Sequence, residues 1–188
     1  MSIVVLSGST MGSKTRTAMQ AVFDSLEKDY PQESVTLIDL ADYELVFSDG
    51  RNYREYIGDT KFVTEKLMEA DIIFIGTPIF QASIPAALKN IFDLLPVNAF
   101  RDKVVSMLVT AGSAKHYMVA DTQLKPILAY MKAQMVQTFV FIEEVDFHQK
   151  EIINHDVLMR LERLAEDTVV LTETFTKIRE KKEAEYDF

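Results

Sequence analysis

Apolar positions along the chain recur with two different spacings, and the alternation between them lays out the elements. Residues 2–7, 34–39, 72–75, 103–110 and 135–142 are short runs rich in Val, Ile, Leu and Phe. Runs of that kind, with little polar alternation, predict strands covered on both faces. Between them the apolar positions take a helical spacing. Ala18, Val22, Phe23 and Leu26 predict a helix over 14–29, and a second is predicted at 59–70. After Pro85, positions Ala86, Leu88, Ile91, Phe92 and Leu95 predict a third. Residues 116–132 predict a fourth, with a kink or break expected at Pro126. A long helix is expected over 151–182, with the charged run 179–185 and the end of the chain, about 180–188, fraying into solvent. Only 40–56 has weak periodicity and many turn formers.

Strand and helix therefore alternate five times. Short connections and right-handed crossovers predict an α/β domain spanning 1–188: a doubly wound, five-stranded parallel sheet in order 2-1-3-4-5, helices on both faces. In that order the first, third and fourth strands are neighbours at the centre. Their carboxyl ends carry the loops 8–17, 77–83 and 110–113, at the rim where open α/β sheets bind ligands. The segment 72–95, IIFIGTPIFQASIPAALKNIFDLL, is the centre of this arrangement. Gly76 permits a sharp turn, and Pro78 fixes the backbone just beyond the apolar run. A loop with two prolines and an aromatic reads either as a wall for a flat ring or as a plug that only seals the core.

Composition narrows the function classes. With 188 residues and 48% apolar content, the chain suits one globular domain with a substantial core. A net charge of −9 argues against a nucleic-acid or anionic-membrane surface, which needs clustered Lys and Arg. Without cysteine there is no disulfide, thiolate nucleophile or iron–sulfur cluster, which suits a reducing cytoplasm. MSIVVLSGS carries no basic leader, and no apolar run approaches membrane-spanning length. A cytoplasmic location is expected.

The first loop is rich in hydroxyls: Ser9, Thr10, Ser13, Thr15 and Thr17 surround the start of the first helix. Exposed amides and the helix dipole there favour a phosphate, and hydroxyls add donors. A simple helix cap is the competing explanation, but a cap needs only one hydroxyl. The run Gly8-Ser-Thr-Met-Gly-Ser-Lys14-Thr15 approaches a nucleotide P-loop, with Ser13 where its second glycine belongs. Asp39 at the end of the second strand could serve that reading as a magnesium-binding acid. The missing glycine and the absent G-x-G-x-x-G fingerprint favour instead a monophosphate held by hydroxyls and amides. A response regulator is excluded, since the first strand ends in Leu6-Ser7 and not in acidic residues.

Taken together, these segments resemble the NADPH-dependent FMN reductase family of the flavodoxin-like fold. Gly8-Ser9 with Ser13-Lys14-Thr15-Arg16-Thr17 resembles its phosphate loop. The segment 77–93, TPIFQASIPAALKNIFD, resembles the family's most recognisable stretch. Thr110-Ala111-Gly112-Ser113, His116 and Leu124-Lys125-Pro126-Ile127-Leu128 look most like the alkanesulfonate-associated branch. The similarity runs from about residue 1 to 142. Three positions depart from the pattern: Met11 stands near where many members have Arg, Phe80 where many have Tyr, and Thr122 where the branch commonly has an aromatic.

The resemblance implies bound FMN, whose N5 accepts hydride from NAD(P)H and passes it to a second small acceptor. It implies that Ser9, Ser13, Thr15 and either Lys14 or Arg16 hold the phosphate, with Met11 and Thr17 in the same loop. Pro78, Ile79, Phe80 and Gln81 would line the isoalloxazine, and Thr110, Ala111, Gly112 and Ser113 would close its other side. His116 could contact flavin or nicotinamide, although an ordinary helix-start histidine explains it as well. No side-chain acid or base is required. His148 and His155 have no metal spacing, and Lys89 and Asp93 read as a surface pair. Tyr117, Met118, Tyr130 and Met131 are expected in the core.

Members of the family are commonly homodimers or homotetramers. The face carrying Ile91, Phe92 and Leu95 either meets a symmetry mate or packs on its own sheet. Two rival classes share part of this description: a flavodoxin-type carrier that does not react with NAD(P)H, and a P-loop nucleotide-binding protein. The acceptor stays open among free flavin, azo dye, quinone and metal oxyanion, and no motif chooses between NADH and NADPH.

Overall fold

Side chains of successive strand residues point to opposite faces of a sheet, so a strand without polar alternation needs cover on both. The computed structural model, which describes residues 1–185, supplies that cover. In chain order, β1 (Ser2–Ser7) leads to α1 (Lys14–Asp29) and β2 (Ser34–Asp39) to α2 (Gly58–Glu69). Next come β3 (Ile72–Pro78), α3 (Ala86–Leu94), β4 (Val104–Ala111) and α4 (Lys125–Tyr130). The chain continues through β5 (Gln134–Met135), β6 (Val140–Glu143), β7 (Phe147–His148), β8 (Glu151–Ile152) and α5 (His155–Ala184). The main sheet is parallel in the order β2-β1-β3-β4-β5, with β6 also pairing with β4. This is the expected 2-1-3-4-5 order.

The two faces have separate cores. Val4, Leu6, Ile73, Ile75, Val105 and Met107 pack against α2, α3 and α4. Ile3, Val5, Ile72, Phe74, Val104 and Leu108 pack against α1 and α5. At β3, Gly76 lets α1 approach closely: a Cβ there would lie 2.3 Å from the Met19 sulfur. The tight fit sets α1, and therefore the loop before it, directly beside the end of β3.

Five expectations need correction. β3 runs on to Pro78, whose missing N–H then marks its end. The fifth strand is divided into β5 and β6, because at the sheet edge it has β4 alone to hold it. The helix expected over 116–132 is broken well before Pro126: a 3-10 turn (Ala114–His116) and a π-helical stretch (Ala120–Leu124) precede α4. Pro126 falls in the first turn of α4, where a missing N–H costs no helical bond. The last helix begins only at His155, with Asn154 Oδ1 accepting from the Asp156 N–H at 3.0 Å, because 147–152 form a small antiparallel hairpin. The charged run does not fray within the described residues. It continues α5 to Ala184, held in part by Arg179, which reaches Asp102 at 3.3 Å and Glu183 at 3.1 Å. Residues 186–188, the rest of the segment expected to fray, lie outside the described residues.

Burial corrects the side-chain expectations as well. Tyr117, Met118 and Tyr130 are exposed, and Met131 alone of that group is in the core. Ile91, Phe92 and Leu95 are buried in the chain's own core, so that face is not offered to a symmetry mate. Lys89 and Asp93 form the expected exposed pair at 2.6 Å.

Candidate functional site

The parallel register brings the carboxyl ends of β1, β3 and β4 together, and three loops leave from that edge. In the first, the Gly8 N–H donates to the Gly76 carbonyl at 2.7 Å, an approach a Cβ on Gly8 would obstruct. Ser9 turns the chain, its Oγ donating to the Met11 carbonyl at 2.7 Å and accepting from the Met11 N–H at 3.2 Å. Gly12 adopts φ +80°, in the left-handed region that favours glycine. Ser13 holds the cap position of α1, yet its hydroxyl makes no capping bond, and the first turn contains no acidic side chain. The amides of that turn therefore face outward without a capping partner from their own helix.

The loop after β3 is fixed by its backbone. The Ile79 N–H donates to the Thr110 carbonyl at 3.2 Å, and Phe80 and Ser83 exchange two backbone bonds of 2.9 Å each. Between them Gln81 (φ 47°) and Ala82 (φ 60°) are both left-handed, giving a two-residue type I′ turn built without glycine. The turn holds Phe80 at the surface. Ser83 Oγ donates to Gln123 Oε1 at 3.2 Å, tying the turn to the π-helical stretch. On β4, Pro78 lies in register with Thr110 and Ala111 with Glu143. A Cβ added to Gly112 would meet nothing within 4 Å, so packing within the chain does not demand glycine there.

These loops enclose an open cleft of about 350 Å³, lined by residues 11–15, 78–80 and 110–112 together with Glu144. Its lining combines hydroxyl-bearing residues at the start of α1 with the apolar Pro78, Ile79 and Phe80. Met11, Ser13, Lys14, Thr15, Pro78, Ile79, Phe80, Thr110, Ala111 and Gly112 are thus brought together, as the sequence suggested. Ser9, Arg16, Thr17, Gln81, Ser113 and His116 lie outside the lining. Ser9 shapes the loop, and Thr17 Oγ1 donates at 3.1 Å to the Lys150 carbonyl of the β7–β8 hairpin. Gln81 sits at the exposed tip of its turn, and Ser113 and His116 belong to the 3-10 turn beyond β4.

Glu144 and Gly12 were not picked out from the sequence. Glu144 follows directly on Glu143, the partner of Ala111 across β4 and β6, so strand pairing was the one signal that could have found it.

Both loop cations are engaged by carboxylates. Lys14 pairs with Glu144. Arg16 lies 3.1 Å from Asp39 and 3.2 Å from Asp42, on the β2 side. Asp39, which a P-loop would need for magnesium, is thereby occupied with Arg16 and the Ala41 N–H. Among the described residues no group of three or more His, Asp or Glu side chains is placed to hold a metal ion. No helix among them is long and apolar enough to cross a membrane.

A more apolar groove of about 450 Å³ lies elsewhere, between the end of α3 and α4, with Phe92, Val97, Ile127 and Tyr130 in its walls. It has neither the strand-end loops nor the hydroxyl cluster of the first cleft.

The fold is flavodoxin-like: an archaeal flavodoxin superposes with a TM-score of 0.62 at 15% identity, over 91% of this chain and 97% of that one. An NADH:FMN oxidoreductase solved in its apo form superposes with a TM-score of 0.74 at 26% identity, over 87% and 86% of the two chains. In sequence, the chain is 37% identical over 170 residues to an NAD(P)H-dependent FAD/FMN reductase of Geobacillus thermodenitrificans (strain NG80-2), covering 90% of this chain and 92% of that protein. It is 30% identical over 176 residues to the NADH-dependent FMN reductase SfnF of Pseudomonas fluorescens (strain Pf0-1), covering 93% and 94%. Residues 1–146 match the sequence profile described as NADPH-dependent FMN reductase, and it is to this family that the chain belongs.

Proposed function

We propose that the protein is an NAD(P)H-dependent FMN reductase that binds FMN in the cleft at the ends of β1, β3 and β4. One observation carries the assignment to this cleft: its lining joins the two kinds of surface that the two parts of FMN require. The hydroxyls of Ser13 and Thr15 and the first-turn amides of α1 suit a phosphate, and the wall of Pro78, Ile79 and Phe80 suits a flat apolar ring. The donor set therefore fits the cofactor. When bound, FMN supplies the centre that takes hydride from NAD(P)H and gives it to a second acceptor.

The chain's own part is placement. Thr110, Ala111 and Gly112 continue the lining beside the Pro78–Phe80 segment, and Gly112 leaves room for backbone to approach a ring. Ser9 and Gly12 keep the loop in the shape that presents Ser13 and Thr15. No side chain is assigned as acid or base. The described residues build one main sheet with a core on each face and one small hairpin beside it, which supports a single domain over 1–188. A cytoplasmic location is part of the reading, supported by the nucleotide donor and by a sequence without cysteine. Assembly as a homodimer or homotetramer is part of the reading. The groove between α3 and α4, with Val97 and Tyr130 exposed beside it, supports that assembly better than the buried Ile91 face. Light scattering should therefore give a multiple of the chain mass with FMN present; a monomer mass at micromolar concentration would remove the assembly.

The function is tested by titrating the apo-protein with FMN and with riboflavin, then mixing the FMN-loaded protein anaerobically with NADH or NADPH. FMN should bind more tightly than riboflavin, and the flavin absorbance should bleach with at least one nucleotide. Equal affinity for the two flavins would remove the phosphate assignment. Binding without bleaching by either nucleotide would decide for an electron carrier of the flavodoxin type.

A further inference from the structure

We propose that Glu144 sets how loosely FMN is held, by competing with the flavin phosphate for Lys14. The inference rests on the FMN reading of the cleft and goes beyond it in naming the residue that tunes affinity. Lys14 opens α1 and lines the hydroxyl-rich end of the cleft, so it is the cation nearest to where a phosphate would lie. Glu144 lines the same cleft and forms an ion pair with it. Arg16, the other cation of the loop, is held by Asp39 and Asp42. The two cations of the loop thus answer to three carboxylates.

The position of Glu144 is built into the fold. Register across β4 and β6 sets Glu143 opposite Ala111, which delivers the next residue to the cleft rim. The 3-10 turn that begins there is pinned by Asp146, which accepts from the Glu143 N–H at 2.8 Å and from Asn154 Nδ2 at 2.7 Å. The Ile153 N–H also donates to the Asp146 carbonyl, at 2.8 Å. A turn tied at three points keeps the Glu144 backbone at the cleft rim, within reach of Lys14.

An incoming phosphate, carrying about −1.5 to −2 charges at neutral pH, must take Lys14 from this carboxylate and then lie beside it. Both effects weaken the phosphate contribution to binding and leave the ring contribution alone. The flavin then exchanges between turnovers, and the kinetic pattern with NAD(P)H and FMN is sequential.

The test compares wild type with Glu144→Gln, with Glu144→Ala as a second variant that removes the amide's own bonding to Lys14. Both variants change an exposed side chain, and their thermal midpoints are expected to match wild type. FMN should bind the variants about threefold to twentyfold more tightly at low ionic strength, with riboflavin unchanged. The gain should fade as salt screens the charges, and steady-state lines should move from intersecting toward parallel as the flavin stays bound. If FMN affinity is unchanged or weaker in both variants, the inference fails and the FMN reading stands. If riboflavin tightens as much as FMN, the effect does not act through the phosphate and the inference fails again. If wild type shows no preference for FMN over riboflavin, the underlying reading of the cleft fails, and this inference with it.

Discussion

The hydroxyls of Thr15, in the first turn of α1, and Thr110, near the end of β4, lie 2.7 Å apart and are both buried. Two hydroxyls need only one proton for the bond between them, so the pair keeps a second proton to donate elsewhere. It thus ties the phosphate-type loop to the central sheet and retains a donor at the cleft. Thr15→Val should leave the Thr110 hydroxyl buried without this partner, at about 1–3 kcal/mol. The double variant Thr15→Val/Thr110→Val should cost less than the sum of the two single changes. Urea unfolding of the four proteins measures the coupling; strict additivity would mean the two hydroxyls are not energetically linked.

The hairpin of β7 and β8 turns through Gln149 (φ 46°) and Lys150 (φ 71°), two side chains in a conformation that favours glycine. Lys150→Gly should relieve this and stabilise the fold by about 0.5–1 kcal/mol, as type I′ turns prefer Gly at that position. The bond from Thr17 uses the Lys150 carbonyl and survives the change. The urea midpoint should rise with the m-value constant. A lower midpoint would mean the lysine side chain contributes more than the strain costs.

That hairpin also marks where the sequence stopped being legible. Strands buried on both faces announced themselves through uninterrupted apolar runs, so β1, β3 and β4 and their convergent loops were readable. Gln149-Lys150 carries none of the Gly, Asn or Asp that signals a tight turn, and its two-residue strands are too short for a pattern. The break before α4 was obscured because Pro126, the visible disruptor, is tolerated in a first helical turn while the π-helical stretch lies upstream of it. In the cleft lining, Ser13, Thr15, Phe80 and Gly112 could be found because each lies in, or just after, a loop at a central strand end. Glu144 could not, since its partner Lys14 is 130 positions away and a lone glutamate after a strand has no motif. The engagement of Arg16 by Asp39 and Asp42 was hidden for the same reason: pairing across elements is set by the fold and not by local spacing.

Lys103 stands where β4 begins and caps the end of α2 from across the sheet edge, its Nζ donating to the carbonyls of Met68 at 2.7 Å and Ala70 at 2.5 Å. Burial lowers its pKa, with Asp71 and Asp102 partly opposing the shift. Between the lowered folded value and the ordinary lysine value of about 10.4, the unfolded chain binds the proton that the folded one has released. Stability contributed by this residue therefore rises with pH across that window. A neutral amine still has two N–H donors for the two carbonyls, so the cap survives deprotonation. Tyr30 and Tyr43, whose pKa values are raised by burial above the ordinary 10.0, act with the opposite sign in a window that opens at that value. The difference in unfolding free energy between wild type and Lys103→Met isolates the lysine. It should turn in favour of wild type as pH climbs through the window, and a flat difference would show no linkage at this side chain.

Phe80 tests the ring-binding wall without disturbing the fold around it. Its side chain lines the cleft and is 36% exposed, so little core packing depends on it. The turn that presents it is closed by backbone bonds with Ser83 at both ends, which Phe80→Ala keeps. The unfolding midpoint should therefore change little, within the about 0.5 kcal/mol typical of surface substitutions. An aromatic ring set beside another contributes about 0.5–1.5 kcal/mol beyond its buried area, which corresponds to a change of roughly twofold to tenfold. FMN and riboflavin affinity should fall by that factor together, since the loss is at the ring end and not at the phosphate; alternatively the rate of flavin reduction by NAD(P)H should fall while affinity holds. Either result separates this wall from Glu144, whose replacement should move FMN and leave riboflavin alone. If flavin affinity and reduction rate are both unchanged in Phe80→Ala, the ring lies outside the site and the cleft must be bounded by Ile79 and Pro78 alone on that side.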